Sequence, residues 1–160
     1  MSVMRKKKKK KSEAKVTRWK RFDKKTKLWI THRKAVYVWW YKFLQIAIQE
    51  NRKINHQFYR GWGDTSLKFD DFWKKNWQRL FAKDPIPLVK TSTQFVSPKA
   101  YRFQYNIYKL RSKQPPMPYN EIAEKMKIVG AQHIYAADKC RRHHIKARKL
   151  IDRVSKGKFP

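Results

Sequence analysis

What constrains this chain most is a charge it cannot balance from within. Against 42 lysines and arginines stand 11 aspartates and glutamates, a formal net charge of +31 over 160 residues. Charge so far from zero opposes compaction through self-repulsion. Yet 41% of the residues are hydrophobic and 15% aromatic, more than a disordered basic tail carries. The chain must therefore build a core while leaving its cations outside. A polyanion would supply the missing counter-charge, because releasing its condensed cations favours association. Nucleic acid is the expected partner. A membrane surface or an acidic protein fits less well, since the basic residues are spread along the whole chain.

The length suits one ordinary domain or two small ones. The one cysteine, Cys140, has no partner for an intrachain disulfide, which points to a reducing compartment. No run of about 18 apolar residues is present, so no membrane span is expected. The basic N-terminus lacks the apolar stretch of a secretory signal. The expected location is the cytoplasm, with the nucleoid, or the nucleus in a eukaryote.

Residues 1–18 read as a disordered basic arm. The lysine run Lys6, Lys7, Lys8, Lys9, Lys10 and Lys11 repels itself and offers phosphate contacts. Residues 19–84 read as an aromatic-rich helical unit containing all seven tryptophans. From about Lys27 to Ile54, Val36, Trp40, Phe43 and Ala47 share one helical face. Trp39 and Ile46 widen that stripe, and Tyr37, Tyr41, Leu44 and Ile48 extend it, so this helix should be mostly buried. The segment Arg60-Gly61-Trp62-Gly63-Asp64 breaks the chain. A second helix is predicted over 69–82, with Phe69, Phe72, Trp73, Trp77, Leu80 and Phe81 at helical spacing. Asp70 and Asp71 lie in its favourable first turn, and Pro85 and Pro87 follow its end. Such stripes mark core tryptophans. Trp19, flanked by Arg18, Lys20 and Arg21, is the candidate for stacking on an unpaired base.

Residues 85–117 read as an extended, β-containing linker. Tyr101, Phe103, Tyr105 and Ile107 alternate with polar residues, which is strand periodicity. A partner strand could come from Leu88 to Val96 or from another chain. Residues 118–160 read as a basic helical segment. Ile122, Ala123 and Met126 would face inward on a short helix, Val129-Gly130 would turn the chain, and a long helix would run from about Ala131 to Ser155. On that helix Ala136, Cys140, His143, Ala147, Leu150, Ile151 and Val154 gather on one side. Arg142, Lys146, Lys149, Arg153 and Lys156 gather opposite, as phosphate-contact candidates. Residues near its start, Gln132, His133 and Tyr135, are the base-reading candidates, glutamine being suited to adenine. The fold class expected is mainly α with a small β element, in which an aromatic-rich helical N-terminal unit is followed by helix-turn-helix-like C-terminal helices.

The run Tyr119-Asn120-Glu121-Ile122-Ala123-Glu124-Lys125-Met126-Lys127-Ile128 resembles the first helix and turn of helix-turn-helix domains of the sigma-factor region 4 type. The run Lys146-Ala147-Arg148-Lys149-Leu150-Ile151 resembles the end of their recognition helix. The likeness covers the last quarter of the chain. The distance from Ile128 to Ala147 is several residues longer than in that family, so the second helix is extended by about two turns or the two matches are independent. It implies sequence-specific DNA binding. No such likeness is found for the N-terminal half.

Chemistry beyond binding has little support. Cys140, His143, His144 and His133 lie on one helix and cannot converge on a zinc ion, so no metal is expected. The acids are scattered, and Asp70 and Asp71 point about 100° apart on a helix. Four glycines leave no phosphate-cradling loop. No enzymatic activity and no cofactor are expected. The function read from the sequence is that of a small DNA-binding, regulator-like protein of a bacterium, phage or mobile element. The alternative is a structural RNA-binding protein of a ribosome or other ribonucleoprotein. The oligomeric state is not set by the sequence, and a dimer is open.

Overall fold

A computed structural model describes residues 21–23, 28–30, 34–82, 97–128 and 133–159. Strands β1 (Arg21–Asp23) and β2 (Leu28–Ile30) pair antiparallel, with Arg21 opposite Ile30. Six helices follow: α1 (Lys34–Gln49), α2 (His56–Tyr59), α3 (Phe69–Phe81), α4 (Pro98–Arg111), α5 (Tyr119–Lys125) and α6 (His133–Ser155). The protein is mainly helical, as its apolar periodicities require. The first helix is shorter than the pattern from Lys27 suggested, because its first residues form β2 instead.

The larger core is built around α1. Its buried residues Tyr37, Trp40, Phe43, Leu44 and Ala47, among others, cover an arc of about 220°, which leaves one narrow strip for solvent. Against this arc pack Phe72, Trp73, Leu80 and Phe81 of α3, and Ala147, Leu150, Ile151 and Val154 of α6. Trp62, from the glycine-flanked break, fills the centre, with its ring centroid 5.0 Å from that of Trp40 and 5.3 Å from that of Phe81. The tryptophans assigned to core by their stripe are there: Trp73 is buried and stacks on Trp77 at 5.9 Å. Two of the polar tips inside this cluster are satisfied in series, whereas the Trp62 indole N–H is buried without a hydrogen-bond partner among the described residues. The Trp40 indole donates to the Tyr59 hydroxyl at 3.1 Å, and that hydroxyl donates to the Val154 carbonyl of α6.

A smaller core lies on the other side of α4, where Ile107 meets Ile122, Ala123, Ala136 and Cys140. Here the strand reading of Tyr101 to Ile107 within the extended linker is corrected, for residues 98–111 are a helix. Ser97 precedes it and Pro98 occupies its first turn, where a missing N–H costs nothing. The alternation that mimicked a strand comes from burial on two faces. Positions two apart on a helix lie about 200° apart. Tyr101, Tyr105 and Tyr108 therefore face the larger core, while Phe103, Ile107 and Leu110 face the smaller one. Gln104, also buried, lies on the arc between them. Residues 83–96, which include the proposed partner strand, lie outside those described.

Long helix α6 joins the two cores, with Ala136 and Cys140 in the smaller and Ala147 to Val154 in the larger. The aromatic unit expected over 19–84 is thus completed by residues from the C-terminal segment. Three helix ends share one device. After α1, α5 and α6, a residue with positive φ (Asn51, Lys127 and Gly157) turns the chain so that its own N–H and that of the following residue reach back to the last turn. At Gly157 the φ is 75°, and a Cβ there would come within 2.4 Å of the Phe58 ring.

Gly157→Ala should therefore lower stability in chemical denaturation by at least ~1 kcal/mol, the left-handed penalty alone, with the Phe58 clash added. Gly61→Ala should be milder by comparison, since its Cβ would meet nothing closer than Arg79 Nη1 at 3.5 Å. Equal losses at the two positions would contradict this packing.

Candidate nucleic-acid interface

The candidate site grows out of the division of α6 into two faces. Its inner arc, Ala136, Cys140, Ala147, Ile151 and Val154, is fully or almost fully buried. A rigid helix with that arc fixed must turn the opposite meridian to solvent. Arg142, Lys146, Lys149, Arg153 and Lys156 are all exposed. By helical register they fall within about 80° of one another. From Arg142 to Arg153 is eleven residues, about 16 Å of helix, and Lys156 follows just beyond its end.

Within this row Arg142 differs from the rest. Its guanidinium pairs with Asp138 at 2.9 Å, one turn earlier, and lies 6.0 Å from the Tyr135 ring. Lys146, Lys149, Arg153 and Lys156 have no ion-pair partner among the described residues. The other acid on the exposed side, Asp152, is taken by Arg52 at 3.1 Å. Three uncompensated cations on one helix, with Lys156 just beyond its end, are what a row of phosphates matches.

The base-reading candidates are only partly placed. Tyr135 is 58% exposed and lies on the same meridian as Arg142 and Arg153. His133 is the first residue of α6, and its side chain lies outside what is described. Gln132, the Lys6 to Lys11 run and Trp19 lie outside the described residues. Between the end of α5 and the start of α6 stand residues 126–132, of which 129–132 are not described.

The groups weighed as metal ligands have other surroundings. Burial pushes the Cys140 thiol up, against the opposing pull of Lys139, so it stays protonated and packs as a small apolar side chain. His143 stands edge-on to the Phe103 ring at 4.8 Å, and His144 Nδ1 is 2.9 Å from the Tyr119 hydroxyl. No group of three or more potential ligands occurs among the described residues. Nor is any described helix long and apolar enough to cross a membrane.

Sequence reasoning missed a basic surface on α4. Lys99, Arg102 and Lys109 are exposed there, and reading the segment as a strand hid their shared face. Pro98 after Ser97, opening a stretch without acids, was the available signal for a helix. Comparison of this chain with protein-family models, curated proteins and solved structures finds no match.

Both histidines are held below the usual imidazole range. For His143 the cause is burial and then Lys146, Lys139 and Arg142; for His144 it is burial and then Arg148 and Arg111, with Glu50 opposing. A depressed folded-state value means that the unfolded chain takes up protons first as pH falls. Stability contributed by the neutral rings is thus full above the unfolded-state value near 6.5 and declines below it. The urea midpoint should fall between pH 7 and pH 5, and His143→Leu with His144→Gln should flatten that fall. A midpoint as steep in the double variant would show that other groups are responsible.

Proposed function

We propose that this chain is a non-enzymatic nucleic-acid-binding protein that holds duplex DNA against the outer face of α6. The observation that carries the reading is the row Lys146, Lys149, Arg153 and Lys156. All four are exposed, aligned and without an acidic partner among the described residues, in a chain of net charge +31. A duplex presents one negative charge per about 1.7 Å of its axis, so a row roughly 15 Å long faces several phosphates at once. Contacts of that kind hold the protein on the duplex and set its register without reading sequence. Base contacts would fall to the start of α6, where Tyr135 stands exposed beside Gln132 and His133 in the sequence. The resemblance of 119–128 and 146–151 to a helix-turn-helix is consistent with that division of labour. A protein of this kind would act where DNA is held, in a nucleoid or a nucleus, and as a regulator if base contacts are made.

Labelled duplex titrated at several salt concentrations tests the reading. Lys146→Ala, Lys149→Ala and Arg153→Ala together should weaken binding to all sequences alike and reduce the log–log salt slope by roughly two to three. Loss of sequence selectivity in Gln132→Ala with Tyr135→Ala would support base reading at the start of α6. Absence of binding near 0.1 M salt, or an unchanged slope in the triple variant, would overturn the proposal. Structured RNA that outcompetes the duplex at equal charge would move the assignment to RNA.

A further inference from the structure

We infer that α4 carries a second phosphate-binding face, so that one chain holds two duplex segments at once, one on α6 and one on α4. The inference rests on the α6 reading above and extends it to a surface which that reading does not use. Lys99, Arg102 and Lys109 are exposed on α4 and lie within about 80° of one another around the helix. None of them has an ion-pair partner among the described residues. No acid occurs anywhere from Pro85 to Asn120, so the local field has no negative component from its own segment.

The two helices run antiparallel. Tyr101, near the start of α4, meets Phe159 just beyond the end of α6 at 5.0 Å, while Phe103 meets His143 and Tyr108 meets His144 further back. The buried arcs, with Gln104, Ile107 and Tyr108 on one helix and Cys140 and Ala147 on the other, lie between the helices and their neighbours. Each basic face is opposite its own helix's buried arc, so neither takes part in the contact between the two helices. Two packed helices measure about 20 Å across with their side chains.

The other exposed basic helix is less suited to this role. Lys74, Lys75 and Arg79 on α3 have Asp70 and Asp64 beside them, and those carboxyls are held low by hydrogen bonds from Lys34 and Ser66, then by the nearby lysines. The face on α4 has no such acids, and its charge complements a second polyanion. Where the two segments belong to one DNA molecule, binding of the first raises the local concentration of the second.

The test uses the full chain with short duplexes and reads stoichiometry and bridging. The wild-type chain should take two duplexes and capture a labelled duplex onto an immobilised one. Lys99→Ala, Arg102→Ala and Lys109→Ala together should leave one duplex per chain and abolish capture. Lys146→Ala, Lys149→Ala and Arg153→Ala should do the same through the other face, and the combined variant should bind neither. One duplex per wild-type chain, lost in the α6 variant, would overturn the α4 face and leave the α6 reading standing. Capture that persists in the α4 variant would also overturn it. No binding by the wild-type chain would remove both.

Discussion

The rest of the molecule depends on the burial of one arc of α6 in two cores at once. A chain this basic can fold only if apolar contact outweighs mutual repulsion among its cations. Helix α6 meets that demand by placing Ala136 and Cys140 in one core and Ala147 to Val154 in the other, with every cation of its outer row in water. The same geometry that permits folding creates the charged surface. Segregation by helical period makes the two inseparable, so a change that rotates α6 would expose the core and bury charge together.

Inside, aromatic rings do what aliphatic side chains do in most domains. Trp40, Trp62, Phe72 and Phe81 meet at centroid distances between 5.0 and 6.0 Å in edge-on, tilted and stacked arrangements. Rings of this size bury much area per residue, which helps a chain that must devote a quarter of its positions to lysine and arginine. The polar ends are accommodated rather than avoided. The Tyr59 hydroxyl links Trp40 of α1 to the backbone of α6, and Tyr108 of α4 donates to Glu50, whose other oxygen takes Arg52 at 3.1 Å. These links run between helices distant in sequence.

Much of this arrangement was legible in advance. The stripe from Phe69 to Phe81 gave α3, and the inner and outer faces of α6 were separable from spacing alone, since charge and apolar character alternate cleanly at 3.6 residues. The failure at α4 has a definite physical origin. A helix with one apolar face shows the helical period, but a helix pressed between two cores carries two apolar faces about 200° apart, and that reads as a period of two. Tyr101, Phe103, Tyr105 and Ile107 satisfy both patterns, and a single sequence does not say how many cores a segment touches. The basic row of the candidate site was readable because it needs only the register of α6. The face on α4 was not, because it needs the tertiary fact that α4 is a helix.

The cations of α6 stand on a backbone that is already ordered. A charge borne on a free chain must have its backbone ordered when it meets a ligand, at a cost of roughly 1–2 kcal/mol per residue fixed. On α6 that ordering is accomplished during folding, by Ala147, Ile151 and Val154 seated in the core. What is left to immobilise on contact is side-chain rotation alone. The buried arc of this helix thus lowers the entropy lost at its opposite surface, without touching anything that binds there.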